Sequence, residues 1–229
     1  MNAPIKGILW DFDGTLASTE RAVCQARIDV LKDLFPLATN DLHIDQVVCW
    51  WTGKSGDDII TDIKTRYPAL ALPTNMQDRF TARAQERLNN HPLEWSDAAL
   101  PPLLATLASK FSMAVGSNGD HRIVHGNIEK LGAGNIFTPD RIFTVRDVAP
   151  GRGKPFPDIF NHAADTLGLK SDEVIVVGDS LADLAAAQSA GMKFVAYTGC
   201  APDKDAAIQR LKDNGATTII RHYSDFPKI

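Results

Sequence analysis

The chain has little sulfur and no histidine-rich patch. Three cysteines, Cys24, Cys49 and Cys200, are spread through 229 residues. Their number is odd and their spacing is not that of a zinc site, so they read as reduced, structural thiols of a cytoplasmic protein. The six histidines are scattered and read as forming no metal centre. No apolar run approaches the ~20 residues that a membrane span needs, and the early strand-like run stops at Asp11 instead of continuing as a signal peptide. A net charge of −4 offers no basic surface for nucleic acid. Internal repeats and low-complexity tracts are also missing. What remains is a chain that is 44% hydrophobic, enough for a packed core in one or two domains.

Strand and helix patterns alternate along most of this length. Residues 5–10 read as a buried strand. Residues 18–92 then read as helix-rich. From Glu20 a stripe of Val23, the Arg27 stem, Val30, Leu31 and Leu34 predicts a helix that Pro36 ends. A second helix starts near Gly56 with Ile60, Ile63 and Tyr67 on one face, and a third spans 74–88. Trp50 and Trp51 fall in this region, which has no convincing strand. After Pro92 the alternation returns. A helix near 99–109 precedes the strand "FSMAVGSN", and a helix carrying Val124, Ile128 and Leu131 precedes a short strand at 141–144. The helix "DIFNHAADTLGL", closed by Gly168, precedes the strand "EVIVVGD". An Ala-rich helix to Gly191 precedes "KFVAYT", and a helix at 203–213 precedes "TTII". Such alternation predicts an α/β fold with a doubly wound parallel sheet. The expected organisation is a core of residues 1–17 and 93–229, with residues 18–92 inserted as a helical domain after the first strand.

Polar residues gather where these strands end. In open α/β sheets that is where ligands bind. Four stretches stand there: "DFDGT" (11–15), "SNG" (117–119), "GRGKPFPD" (151–158) and "GDSLAD" (178–183). Asp11 and Asp13 point to the same side of an extended chain. Asp179 follows a buried strand, and Asp183 lies one helical turn further on. Two carboxylates ~4 Å apart repel by roughly 4 kcal/mol at an effective dielectric near 20, so the cluster takes up a proton or a cation. Hard oxygen ligands without nitrogen or sulfur favour Mg²⁺, which with few protein ligands commonly serves a substrate phosphate. Ser117 and Asn118 offer hydrogen-bond donors just before a helix, whose start favours anions. Lys154 offers a cation on a loop shaped by Gly153 and Pro155. Neutralising cations, placed donors and an in-line nucleophile are the needs of phosphoryl transfer. A carboxylate can be that nucleophile, with a second carboxylate as general acid and base. Asp158 reads as an N-cap of the following helix.

These stretches resemble the motifs of the haloacid dehalogenase superfamily, in particular its branch of phosphoglycolate-phosphatase-like and β-phosphoglucomutase-like members with a small helical cap. "DFDGT" matches the first motif, Ser117 in "VGSNG" the second, Lys154 in "GKPFPDIF" the third and "VVGDSLAD" the fourth. The resemblance implies a Rossmann-like core with an inserted cap. It implies Asp11 as nucleophile and Mg²⁺ ligand, and Asp13 as general acid and base with its backbone carbonyl on the metal. Ser117 and Lys154 hold the phosphoryl group, Asp179 binds metal and Asp183 supports the metal shell. Thr15 and Asn118 are implied to donate to the substrate phosphate or to brace the loop, and Gly119 to lie at the substrate. "TGKSGDDII" looks like the family's specificity loop, which adds Gly53 and Lys54 as substrate contacts. One departure stands out: the usual "PGV" ahead of the helix before strand two is replaced by "WSDAALPPLL". The function implied is a Mg²⁺-dependent phosphatase of a small phosphorylated metabolite, such as a sugar phosphate or a phosphoglycolate-like acid. The alternative is a phosphosugar mutase. A small phosphorylated metabolite is the expected partner, neither nucleic acid nor membrane is expected, and the chain is expected as monomer or homodimer.

Overall fold

The computed structural model describes residues 3–51, 56–90 and 93–229. Contacts divide the chain into two units, residues 1–18 with 93–229 and residues 19–92.

The first unit opens with β1 (Gly7–Trp10). Residues 19–92 supply α1 (Glu20–Leu34), α2 (Pro36–Thr39), α3 (Ile44–Trp51), α4 (Gly56–Arg66) and α5 (Met76–Asn90). The first unit then resumes with α6 (Leu100–Ala108), β2 (Ser112–Ser117), α7 (His121–Lys130) and β3 (Ile142–Thr144). It continues through α8 (Asp158–Thr166), β4 (Val174–Gly178), α9 (Leu181–Ser189), β5 (Lys193–Tyr197), α10 (Lys204–Asp213) and β6 (Thr218–Ile220). Among the described residues the strands form one sheet in the order β3-β2-β1-β4-β5-β6, and every pairing is parallel. This is the expected doubly wound α/β class. β1 lies between β2 and β4, where the strand order reverses. Trp10 stands opposite Val115 on one side and Val177 on the other, so these three strands finish side by side.

The period-two alternation of strand side chains sorts the core into two layers. Ile8 and Trp10 share one face with Val115, Ile175 and Val177. Leu9 shares the other with Ala114, Val174 and Val176, against Ile159, Phe160 and Ala163 of α8. Strands covered on both faces read as unbroken apolar runs, which is why "GILW" and "VIVVG" carry no polar alternation. Buried apolar surface contributes about 25 cal/mol per Å², so these central strands form the anchored frame of the site.

The helical unit has its own core, in which Cys24, Ile28 and Leu31 of α1 meet Val47 and Trp51 of α3 and Phe80 of α5. Two details differ from the sequence expectation. α3 was not expected, although Ile44, Val47, Val48 and Trp51 have helical spacing. In α4, Ile59 and Ile63 are the fully buried residues, while Ile60 and Tyr67 lie at the half-buried margin. Trp51 fixes the face. Its indole Nε1 donates to Asp62 Oδ2 at 2.9 Å, and burying that ring turns Ile59 inward. Gly53 and Lys54, read from the sequence as substrate contacts, lie outside the described residues.

Candidate active site

Directly beyond Trp10 the chain turns. The Phe12 carbonyl accepts from the Leu16 and Ala17 amides, and Gly14 N–H donates to the Ala17 carbonyl at 2.8 Å. Gly14 takes a φ of +81°, and a Cβ there would overlap the Asp179 carboxylate. The turn therefore needs glycine twice, for its backbone angle and for the close approach of β4's terminal acid. It holds Asp11 at the end of β1, beside Asp179 at the end of β4.

Asp11, Asp179 and Asp183 each present a carboxylate oxygen within 4.8 Å of the others. Two unit charges at that distance repel by about 3 kcal/mol at an effective dielectric near 20. Lys154 answers part of this charge. Its Nζ donates to Asp11 Oδ1, to Asp183 Oδ1 at 2.6 Å and to the Gly116 carbonyl at 3.0 Å. Burial acts first on both partners. It pushes the Asp11 carboxyl up to about 7, reinforced by Asp183 and Asp13 and opposed by Lys154. Burial alone would lower the Lys154 ammonium, but Asp11 and Asp183 outweigh it and hold the group above its ordinary range. One ammonium among three converging carboxylates leaves a negative excess. An all-oxygen donor set with that excess fits a small hard cation such as Mg²⁺.

Asp183 has a second task. Its Oδ2 accepts from the Ser180 amide at 3.1 Å and hydroxyl at 2.6 Å, and the Asp183 amide donates back to Ser180 Oγ. This capping box opens α9. With both oxygens engaged, Asp183 suits a supporting place beside a cation. The Asp13 carboxylate lies outside the group of three. Its Oδ2 would stand 3.7 Å from a Cβ at Gly119, so it faces the turn after β2.

In that turn Ser117 is buried, and its Oγ accepts from the Gly119 amide at 2.9 Å, leaving the hydroxyl proton to be donated. Asn118 is spent on the backbone of Lys154: its Nδ2 donates to the Lys154 carbonyl and its Oδ1 accepts the Lys154 amide, both at 2.8 Å. It braces the lysine loop. The expectation that α7 itself attracts an anion is corrected. Asp120 caps this helix, accepting from Arg122 N at 2.9 Å and Ile123 N at 3.4 Å, so the chain's own carboxylate fills that end. Asp158 is corrected as well. It is the first residue of α8 and not its cap, and Arg152 grips both its oxygens at 2.8 Å. A bidentate guanidinium outcompetes a backbone amide for a carboxylate.

Thr15 is fully buried; its Oγ1 finds no hydrogen-bond partner, while its carbonyl accepts from the Ser96 and Tyr223 hydroxyls. Neither Ser96 nor Tyr223 stood out in the sequence, where the departure at "WSDAAL" was the one signal near either. His121 and His125 do stand at HxxxH spacing on α7, a pattern the sequence reading passed over, with ring centroids 6.0 Å apart. Asp147 Oδ2 is 3.9 Å from His121 Nδ1 but already accepts from the Thr144 amide and hydroxyl. Among the described residues, the converging carboxylates remain the one group with metal-ligand geometry.

A family model described as haloacid dehalogenase-like hydrolase matches residues 8–197. The chain is similar to 6-phosphogluconate phosphatase of Escherichia coli (strain K12), 26% identical over 98% of this chain and 94% of that protein. It is also similar to a phosphoglycolate phosphatase of Pectobacterium atrosepticum, 29% identical over 85% of this chain and 80% of that protein. Among solved structures, a conserved haloacid dehalogenase-like protein of unknown function from Agrobacterium tumefaciens superposes with a TM-score of 0.84. It is 25% identical and covers 97% of this chain and 96% of its own.

Proposed function

The chain belongs to the haloacid dehalogenase-like hydrolases and is an enzyme of that family, and from there we propose that it is a Mg²⁺-dependent phosphatase of a small phosphorylated metabolite. The reading is supported most by the meeting of Asp11, Asp179, Asp183 and Lys154 at adjacent strand ends. Asp11 and Asp179, with the Asp13 carbonyl, would hold Mg²⁺, and Asp183 would support them. When bound, that ion neutralises phosphoryl charge as it develops.

The rest is the work of the chain's own groups. An Asp11 oxygen attacks phosphorus in line with the ester oxygen. The P–O bond to that oxygen breaks, and Asp13 protonates the departing alkoxide. Asp13 then takes a proton from water, which attacks the aspartyl-phosphate, freeing phosphate and restoring Asp11. Lys154 draws negative charge off Asp11 and meets the phosphoryl oxygens. The Ser117 hydroxyl donates its proton to them.

Both relatives named above are called after phosphate esters of small acids. We therefore propose a sugar-phosphate or phosphoglycolate-like substrate. Residues 18–92 are proposed as the cap that selects it, with Gly53 and Lys54 as contacts for a second substrate anion. Phosphate release from a set of phosphorylated metabolites, with Mg²⁺ and with EDTA, tests this reading. Mg²⁺-dependent release from sugar or acid phosphates is expected. Conversion of a phosphosugar to its isomer without release would favour a mutase instead.

A further inference from the structure

The segment that departs from the family pattern, "WSDAAL", lies beside the turn that carries Asp11 and Asp13. Ala17 and Trp95 face each other as an antiparallel bridge, Ser96 N–H donates to the Leu16 carbonyl at 3.0 Å, and Ser18 N–H to the Glu94 carbonyl at 3.0 Å. The Ser96 hydroxyl donates to the Thr15 carbonyl. That carbonyl takes a second donor from the far end of the chain, the Tyr223 hydroxyl at 2.9 Å.

Tyr223 is itself held on every side. Its amide donates to Asp97 Oδ2 at 3.1 Å, one residue past Ser96, while Asp97 Oδ1 accepts from Ala99 N at 2.8 Å. Its ring stacks on Tyr197 with centroids 4.3 Å apart and tilts against Trp10, the last residue of β1, at 5.9 Å. Tyr197 donates its own hydroxyl to the Ser96 carbonyl at 2.9 Å. The phenol of Tyr223 is buried, and burial first, then the neighbouring Tyr197, Cys200 and Asp179, keeps it protonated and so a donor. A carbonyl with two hydroxyl donors, in a turn that must hold a nucleophile, is more than the turn needs to satisfy its backbone.

We propose that Ser96 and Tyr223 are positioning residues: their hydroxyls hold the Thr15 carbonyl and so fix the backbone of residues 11–15, on which the alignment of Asp11 and Asp13 depends. The inference rests on the phosphatase reading for its consequence in rate, but not for the rigidity of the turn. The test uses the full chain as Ser96→Ala, Ser96→Thr and Tyr223→Phe, with two measurements. Amide hydrogen exchange of a peptide covering residues 11–17 should quicken in Ser96→Ala and Tyr223→Phe, while peptides from β4 and α9 stay at the parental rate. With Mg²⁺ and p-nitrophenyl phosphate, kcat should fall about tenfold to a hundredfold in these two variants, the cost of a misplaced reacting group. KM should stay within about twofold, and Ser96→Thr should recover most of kcat, because lost contacts to substrate would instead raise KM. Unchanged exchange at 11–17 overturns the proposal, as does quickened exchange with parental kcat. Exchange that quickens equally in β4 and α9 overturns it too, because the loss is then global. A parent that hydrolyses no phosphate ester refutes the phosphatase reading, and the exchange data then decide the positioning alone.

Discussion

Asp11 answers two demands at once, as proposed nucleophile and as part of the carboxylate group beside Lys154. Asp11→Asn keeps the shape and removes the charge that both demands use. Turnover is expected to fall by about 4 kcal/mol of transition-state stabilisation or more, roughly a thousandfold, and turnover within tenfold of the parent would exclude an aspartyl-phosphate. Asp13 stands apart from that group and faces Gly119; it is the acid proposed for the leaving oxygen. Asp13→Asn should lose ~10²–10⁴-fold with a sugar phosphate. It should lose much less with p-nitrophenyl phosphate, whose leaving group departs unprotonated, and steady-state kinetics on the two esters would separate the cases. The cysteines differ by environment. Burial first, and then Glu20, pushes the Cys24 thiol up to about 11, against the pull of Arg27, whereas Cys49 is exposed. Mass spectrometry after brief alkylation at pH 8 should therefore find Cys49 modified and Cys24 intact. A folded pKa above the unfolded one means that the protonated thiol stabilises the fold below about pH 9, and this contribution is lost as pH rises through about 11.

At the scale of elements, two short devices set the site. Gly14 gives the first turn its left-handed angle and its room for Asp179. Gly14→Ala is expected to cost about 1–3 kcal/mol of stability by strain and to displace Asp179, which a chemical melt and a Mg²⁺ titration of activity would register together. The Ser180–Asp183 box begins α9 and holds one Asp183 oxygen. Ser180→Ala should cost about 1 kcal/mol, and it should weaken activity more than that, because Asp183 also holds Lys154. These elements were readable in the sequence to different degrees. The sheet was legible because β1, β2 and β4 are apolar on both faces and stop at aspartate or serine. The acids were legible because each follows a strand at a fixed offset, so knowing the strand places the carboxylate. Helix α3 is not legible because its eight residues are too short a run for apolar spacing to mark a helix. Asp158 is not legible for a different reason. Its partner, Arg152, is set by loop folding, and no local pattern carries that information; the same folding decides between the two roles open to Asn118, in favour of bracing the Lys154 loop. Tyr223 was out of reach entirely, since its partner Thr15 stands 208 residues away in the chain.

For the whole molecule, the excess of negative charge at the sheet's end means that the fold would gain from the cation proposed there. Saturating Mg²⁺ is expected to raise the melting temperature. By mass action the gain is about 2.7 kcal/mol at a hundredfold excess over Kd, and Asp179→Ala should reduce it; equal melting with Mg²⁺ and with EDTA would speak against a cation at this site. The antiparallel contact of Ala17 with Trp95 has a further consequence, for engineering. It brings together the two points at which the first unit is left and resumed. Closing a loop costs entropy that grows only as the logarithm of its length, about 0.6 kcal/mol per doubling. The sheet therefore gains or loses little when a longer or shorter segment hangs there. A segment of another length grafted between residues 18 and 93 is therefore expected to leave the sheet folded, and a thermal melt of such a chimaera within a few degrees of the parent would check it.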